Sequence, residues 1–263
     1  MLIVVSPAKA LDFESPLPTR KHSEPESLDR SRELVEVMAR RTPGEISRMM
    51  DISPALGELN FERFQDWSTP FDPSNARPAV LAFNGDTYLG LDARLTFDER
   101  DYTHAQKVLR ILSGLHGVLR PLDLIQPYRL EMGTRIDADG VSTLYEFWGD
   151  TVTERLNSDL AASPGANALV NLASTEYFSV VHHARVEGRI VTPRFLDSKD
   201  GETYKVVSFF AKRARGAMAG WIVRERITSP RRLVDFDHDG YRYDAVRSTP
   251  DEPTFTRLTP TPG

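Results

Sequence analysis

A glycine-rich stretch at residues 112–133, LSGLHGVLRPLDLIQPYRLEMG, carries residue types suited to holding an anion. Gly114 and Gly117 lie three residues apart, and glycine permits left-handed backbone that leaves amides free for a phosphate. The pattern is that of two helices joined by a glycine hairpin. An alternative is that Gly114 ends a helix and Gly117 makes a turn, and the residues alone favour this alternative. The cationic candidates in the stretch are His116, Arg120 and Arg129.

A second candidate site is the basic segment FFAKRARGAMAGWI at residues 209–222. Lys212, Arg213 and Arg215 stand where a strand is expected to turn into a helix, so helix amides and cations would meet an anion together. Residues 205–232 hold eight Lys or Arg and one Glu, a charge of +7, against −5 for the chain and so −12 for the rest. A basic block on an acidic body is typical of an anion site. A solvated basic turn over a tightly packed helix explains the segment equally well.

The segment SPAK, Ser6 to Lys9, follows the first apolar run and is a third candidate. Loops at strand ends often carry function, and Ser6 with Lys9 has the chemistry to bind phosphate or to form a serine–lysine pair. A plain loop is the commoner interpretation of so short a motif.

Polar side chains also gather at the ends of expected elements. Carboxylates with tyrosine and lysine suit general acid–base chemistry, although they also serve as caps and buried ion pairs. Their spacing defines no reaction. The catalytic candidates are Tyr128, Glu131, Asp150, Asn171 and Lys212.

Metal and cofactor sites are not expected. The chain has no cysteine, which excludes disulfides and thiolate ligands. His182 and His183 are adjacent and diverge by about 100° on a helix, so they cannot share an ion. The segment DFDHDG at residues 235–240 resembles the start of a calcium loop, but its twelfth position is Val246.

The elements that must position these residues are mixed strands and helices. The runs LIVV, AVLAF and ALVNLA predict buried strands, and RIVTPRFLD with TYKVVSFFA predicts a hairpin. Helices are expected after the capping signals at Thr42, Ser53 and Thr96. With 40% hydrophobic and 27% charged residues, we expect one mixed α+β domain over residues 1–263. We also expect a cytoplasmic monomer with no membrane partner.

Several segments, in order, resemble the YaaA family of bacterial peroxide-stress proteins. They are SPAK, FNGDTYLGL, LSGLHGVLRPLDLIQPYRLEMG, LYEFWGD, NLASTEYF, FLDSKDG and SFFAKRARGAMAGWI. The chain departs from the family pattern at Ala10, where threonine is usual, and at His116, where tyrosine is common.

The resemblance implies an α/β fold of unusual topology with a basic cleft and a helix-hairpin-helix-like element. It implies a protein of the peroxide response that binds duplex or structured DNA and limits unincorporated iron and oxidative DNA damage. The resemblance assigns the helix-hairpin-helix-like element to Leu112 to Pro121. It assigns the basic cleft to Lys9, Arg120, Arg129, Lys212, Arg213 and Arg215. Two other hypotheses stay open: an enzyme holding a nucleotide or damaged base in the same cleft, and, least favoured, direct iron sequestration.

Overall fold

The computed structural model describes residues 1–138 and 140–258. These residues contain eleven α-helices, numbered in chain order: α1 (Leu28–Ala39), α2 (Pro43–Met50), α3 (Pro54–Asp66), α4 (Ala79–Ala82), α5 (Asp86–Leu91), α6 (Ala93–Thr96), α7 (Glu99–Val108), α8 (Leu144–Trp148), α9 (Thr151–Ala162), α10 (Thr175–Phe178) and α11 (Ser208–Arg224). Short 3-10 helices cover His183–Arg185 and Pro230–Asp235.

The same ranges contain fourteen strands: β1 (Leu2–Val5), β2 (Ala10–Leu11), β3 (Arg77–Pro78), β4 (Phe83–Asn84), β5 (Leu109–Ser113), β6 (Gly117–Leu119), β7 (Leu124–Ile125), β8 (Arg135–Ala138), β9 (Val141–Thr143), β10 (Ala168–Leu172), β11 (Arg189–Val191), β12 (Arg194–Ser198), β13 (Arg242–Tyr243) and β14 (Thr254–Leu258). The mixed α/β class predicted from the sequence is confirmed.

A five-stranded sheet in the order β11-β10-β1-β5-β6 forms the centre. Strand β1 pairs in parallel with both β10 and β5, and β10 pairs in parallel with β11. Every residue of β1, β5 and β10 is buried, as expected for strands covered on both faces. Because these three strands are parallel, their carboxyl ends lie at one edge of the sheet.

The helix-hairpin-helix predicted at Leu112 to Pro121 is wrong. Strands β5 and β6 pair antiparallel there, with Leu112 opposite Val118. Gly117 has a φ of +66°, which supplies the tight turn. A side chain at Gly114 would overlap the carbonyl oxygen of Leu130, so that glycine serves a close backbone approach.

A helical hairpin does occur in α2 and α3, which are joined by residues 51–53. Two of the three predicted caps are present, because Thr42 forms a capping box with Glu45 and the Ser53 hydroxyl accepts from Leu56 N. The third is wrong, since α7 is capped by Asp98 and Thr96 ends α6. Asp51 closes α2 in the left-handed conformation at a φ of +50°. A side chain at Gly57 would overlap the hydroxyl of Ser47, so glycine permits the close crossing.

Several predicted elements change where a local pattern meets the tertiary fold. The AVLAF strand becomes one turn of helix, α4, followed by β4. The RIVTPRFLD strand divides into β11 and β12, which belong to different sheets. The TYKVVSFFA strand is absent within the described residues, since α11 begins at Ser208 and Lys205 forms only an isolated bridge to Asp197.

Helix α11 packs tightly on α5 and carries polar groups towards the sheet edge. Side chains at Gly90 and Gly216 would overlap backbone oxygens of the other helix. The two backbones therefore approach more closely than larger residues would allow. Within the described ranges, every helix is too short or too polar to cross a membrane.

Candidate functional site

A polar cleft of about 430 Å³ lies beyond the carboxyl ends of β1 and β10. Ligands of open α/β sheets bind in this position, since loops leaving neighbouring parallel strands diverge there. The cleft is lined from four directions: by the loop after β1, the start of α5, the start of α10 and the second turn of α11. Its residues are Ser6, Pro7, Ala8, Lys9, Ala10, Asn84, Gly85, Asp86, Thr87, Ser174, Glu176, Tyr177, Lys212 and Arg215.

Hydrogen bonds fix the two strand-end loops against each other. Ser174 N donates to Ser6 Oγ at 2.9 Å, and Ser6 Oγ donates to Ser174 Oγ at 3.3 Å. Tyr88 OH donates to the carbonyl oxygen of Ser6 at 3.1 Å, which ties α5 to the same point. Burial raises the pKa of Tyr88, so its hydroxyl stays protonated and can donate. The floor of the cleft is thus held in one geometry.

Three cations reach the cleft from two elements. Lys9 is 64% exposed, and its Nζ lies 2.7 Å from Glu131 Oε2. Lys212 is exposed and makes no ion pair with any residue that the structure describes. Arg215 lies deeper, where its Nη1 donates to the carbonyl oxygen of Ala173 at 2.9 Å and burial lowers its pKa.

Two carboxylates share the cleft with these cations. Asp86 is the first residue of α5, and Glu176 accepts from Gly133 N at 3.0 Å. Three cations and two carboxylates give the lining a formal charge of +1. The lining is therefore polar and mixed in sign, and the strongly basic character expected of the cleft is not seen in its residues.

The remaining predicted arginines are engaged in ion pairs. Arg120 pairs with Glu26 at 2.9 Å and with Asp123 at 2.9 Å. Arg129 Nη2 lies 2.8 Å from Glu131 Oε1, and Arg213 Nε lies 3.6 Å from Asp239. The structure brings Lys9, Lys212 and Arg215 into the cleft lining, but not Arg120, Arg129 or Arg213.

The glycine stretch is part of the core and is not exposed to a ligand. Gly114, His116 and Gly117 are all buried, and the Gly114 carbonyl accepts from Trp148 Nε1 at 2.9 Å. Burial lowers the pKa of His116 to about 3, so the ring is neutral. Ser31 Oγ donates to the Ser27 carbonyl, so His116 Nδ1 donates to Ser31 Oγ at 2.8 Å. With the proton on Nδ1, His116 Nε2 is a buried acceptor without a partner in the described residues.

The five catalytic candidates do not meet in one place. Tyr128 is buried with its hydroxyl 2.6 Å from Ser113 Oγ, and burial raises its pKa. Asn171 is buried in β10, where its side-chain oxygen accepts from Ala173 N at 3.0 Å. Asp150 pairs with Arg185 at the start of α9, and that pairing lowers the pKa of Asp150. Glu131 touches the cleft only through Lys9, and Lys212 alone lines it.

The basic block of residues 205–232 is distributed over different surfaces. Arg226 pairs with Asp101 at 2.8 Å, Arg232 pairs with Asp235 at 2.5 Å, and Arg224 donates to Thr96 Oγ1 at 3.0 Å. Successive side chains of a helix point about 100° apart, so basic residues that are close in sequence do not form one charged face.

The polar turn after AVLAF is a part of the cleft that the sequence analysis did not identify. Asn84, Gly85 and Thr87 line the cleft beside Asp86. The available signal was the NGD turn after an apolar run, because loops that follow buried elements often carry function. Within residues 1–138 and 140–258, no group of three or more His, Asp or Glu residues is placed to hold a metal ion.

The fold and this cleft define a mixed α/β protein with a small polar cleft at the carboxyl end of its parallel strands. Residues 1–247 match the family model described as peroxide stress protein YaaA. The match spans most of the chain, and the protein belongs to this family of peroxide stress proteins.

Proposed function

We propose that this peroxide stress protein binds DNA, duplex or structured, through its phosphates, and so limits oxidative damage. The observation that carries the proposal is the convergence of Lys9 and Lys212 with Arg215 on one cleft. Phosphate contacts from lysine and arginine supply most sequence-independent affinity for DNA. The hydroxyl of Ser174, which only accepts within the Ser6–Ser174 pair, adds a neutral donor of the kind that also contacts phosphate oxygens.

Exposure decides which cations a double helix can reach. Lys9 and Lys212 are exposed, whereas Arg215 is partly buried and held by the Ala173 carbonyl. Duplex phosphates would therefore meet the two lysines, and Arg215 would act within the cleft. Such contacts release counterions, so the affinity falls as salt rises.

The helical hairpin implied by the family resemblance belongs, in this proposal, to α2 and α3. These two helices are joined by three residues, and Ser53 and Pro54 at the start of α3 are exposed. Arg48 in the last turn of α2 adds a cation near the same turn. The exposed start of α3, with the cation Arg48 nearby, suits a second contact to the DNA backbone.

Binding is favoured over catalysis by where the polar candidates lie. Tyr128 and Asn171 use their polar atoms inside the core, and Asp150 lies with Arg185 away from the cleft lining. A reaction needs its acid, base and substrate within hydrogen-bond reach of each other. The same proposal includes that the protein limits unincorporated iron, as a consequence of its role in peroxide stress.

A binding experiment tests the proposal and the enzymatic alternative together. Fluorescein-labelled duplex, branched and lesion-containing DNA is incubated with the protein, and both retention and strand or base products are scored. We expect retention of duplexes of unrelated sequence with similar affinity, and no product. Absence of retention at low salt contradicts the DNA proposal, and accumulation of a product contradicts a purely binding role.

A further inference from the structure

The cleft is the size of one small ligand and not of a double helix. Its volume of about 430 Å³ is within the range of pockets that enclose a single small molecule. A B-form duplex has a major groove about 12 Å wide and can touch only the rim of such a cleft. Asp86 is half-buried in the cleft and is therefore beyond the reach of a paired duplex, whereas Glu176 is exposed.

Both carboxylates of the cleft are acceptors that phosphate cannot satisfy. Asp86 makes no side-chain hydrogen bond or ion pair with any part of the chain that the structure describes. Glu176 receives one bond, from Gly133 N at 3.0 Å, and has further acceptor capacity. An ionised carboxylate only accepts hydrogen bonds, so a ligand that contacts Asp86 and Glu176 must bring N–H or O–H donors in addition to negative charge.

We infer that the cleft holds a single nucleotide, either free or as an unpaired or terminal residue of a DNA strand. Its phosphate lies on Lys9, Lys212 and Arg215, and the N–H groups of its base donate to Asp86 and Glu176. An extruded base is recognised through the hydrogen bonds of its Watson–Crick edge, which pairing otherwise occupies. This inference rests on the proposed DNA binding and deepens it by naming the ligand of the inner cleft.

Calorimetric titration of the full chain tests the assignment with three probes: deoxyguanosine 5′-monophosphate, deoxyguanosine and inorganic phosphate. We expect the nucleotide to bind at least about tenfold more tightly than either fragment, because both halves of the cleft are then engaged. Asp86→Ala should reduce the ratio of nucleotide to phosphate affinity about five- to tenfold. Asp66→Ala removes the same charge from an exposed residue outside the lining and should leave the ratio unchanged.

Asp86→Asn is the second variant, because it keeps the size of the side chain at the start of α5. It should also lower the ratio, since the amide has one acceptor oxygen in place of two. A nucleotide that binds no better than inorganic phosphate overturns the inference. An unchanged ratio in both Asp86 variants also overturns it.

Competition with DNA identifies the source of the nucleotide and separates this inference from the proposed function. Displacement by a duplex with a five-nucleotide tail, but not by a flush duplex, supports a nucleotide within DNA. Tight nucleotide binding that neither DNA displaces supports a free nucleotide. If the flush duplex binds and the nucleotide does not, the inference fails and the proposed function stands; if neither binds, both fail.

Discussion

Lys9 Nζ lies 2.7 Å from Glu131 Oε2, so an exposed cation at the rim of the cleft is partnered by a half-buried carboxylate. The other oxygen of Glu131 accepts from Arg129 Nη2 at 2.8 Å. One carboxylate thus neutralises a lysine that faces the cleft and an arginine that faces the core. A phosphate that binds Lys9 must compete with Glu131 for it, which lowers the affinity of the free protein for anions.

Glu131→Gln should strengthen DNA binding, because a phosphate no longer competes with the Glu131 carboxylate for Lys9. The slope of log affinity against log salt should stay close to the parental value, because the number of phosphates engaged does not change. Arg129 loses its partner, so the free energy of unfolding should fall by about 1 to 2 kcal/mol, less than for a fully buried pair. Fluorescence anisotropy and urea unfolding measure the two effects. Weaker DNA binding by a folded Glu131→Gln protein would show that Glu131 is not a competitor.

Gly114→Ala should destabilise the protein without a specific effect on DNA. The added methyl group would overlap the carbonyl oxygen of Leu130 in the buried hairpin. We expect a loss of about 2 to 3 kcal/mol in the free energy of unfolding, as for overpacking of a core. Gly44→Ala is the matched control, since the added methyl group would meet Arg48 Nη1 at 3.7 Å, an ordinary contact, and it should stabilise helix α2 by about 0.5 to 1 kcal/mol. A folded Gly114→Ala protein that keeps the parental stability but binds DNA more weakly would contradict this prediction.

His116 should make the protein less stable in mild acid. Burial lowers its pKa in the folded state to about 3, whereas the unfolded chain binds the proton near its ordinary pKa of about 6.5. Between these two pKa values the unfolded state binds more protons than the folded state. The stability that neutral His116 contributes is therefore fully present above about pH 6.5 and is lost as pH falls towards 3. At pH 5 the loss is about 2 kcal/mol.

His116→Phe removes the titrating group. The phenyl ring takes the place of Nε2, which has no polar partner among the described residues. Urea unfolding at pH 8 and pH 5 should show a pH dependence that is smaller in the variant by about 2 kcal/mol. Equal pH dependence in the two proteins is inconsistent with a buried neutral His116.

Arg213→Gln should leave the salt dependence of DNA binding unchanged. Although it belongs to the basic run, Arg213 lies 3.6 Å from Asp239 and is not among the residues of the cleft. Anisotropy titrations at several salt concentrations measure the slope. A decrease of about 0.9 would mean that Arg213 engages a phosphate and that the binding surface extends past the cleft.

Local signals in the sequence predicted those elements whose stability is local. The capping residues Thr42 and Ser53 start α2 and α3 as expected, since a cap needs only atoms within four residues. Apolar runs predicted β1 and β10 because strands buried on both faces leave an uninterrupted hydrophobic run in the sequence. The AVLAF run failed because a short buried segment satisfies its backbone as helix or as strand, and the choice lies with its neighbours.

The candidate site depended on distant contacts and was predicted only in part. Ser6 and Ser174 are 168 residues apart, and the register that joins them follows from β1 lying beside β10. Lys9, Lys212 and Arg215 were found because their residue types suit phosphate. The burial of Gly114 and His116 was missed, because it results from packing against Leu130, Ser31 and Trp148.

The salt dependence of duplex binding by a Lys9→Gln/Lys212→Gln protein tests the central proposal most directly. The control, Lys21→Gln/Lys107→Gln, removes the same charge from two residues outside the cleft lining. If each cleft lysine engages one phosphate, the first variant should bind more weakly, with a slope flatter by about 1.8, while the control keeps the parental slope. Parental slopes in both variants would contradict DNA binding at this cleft.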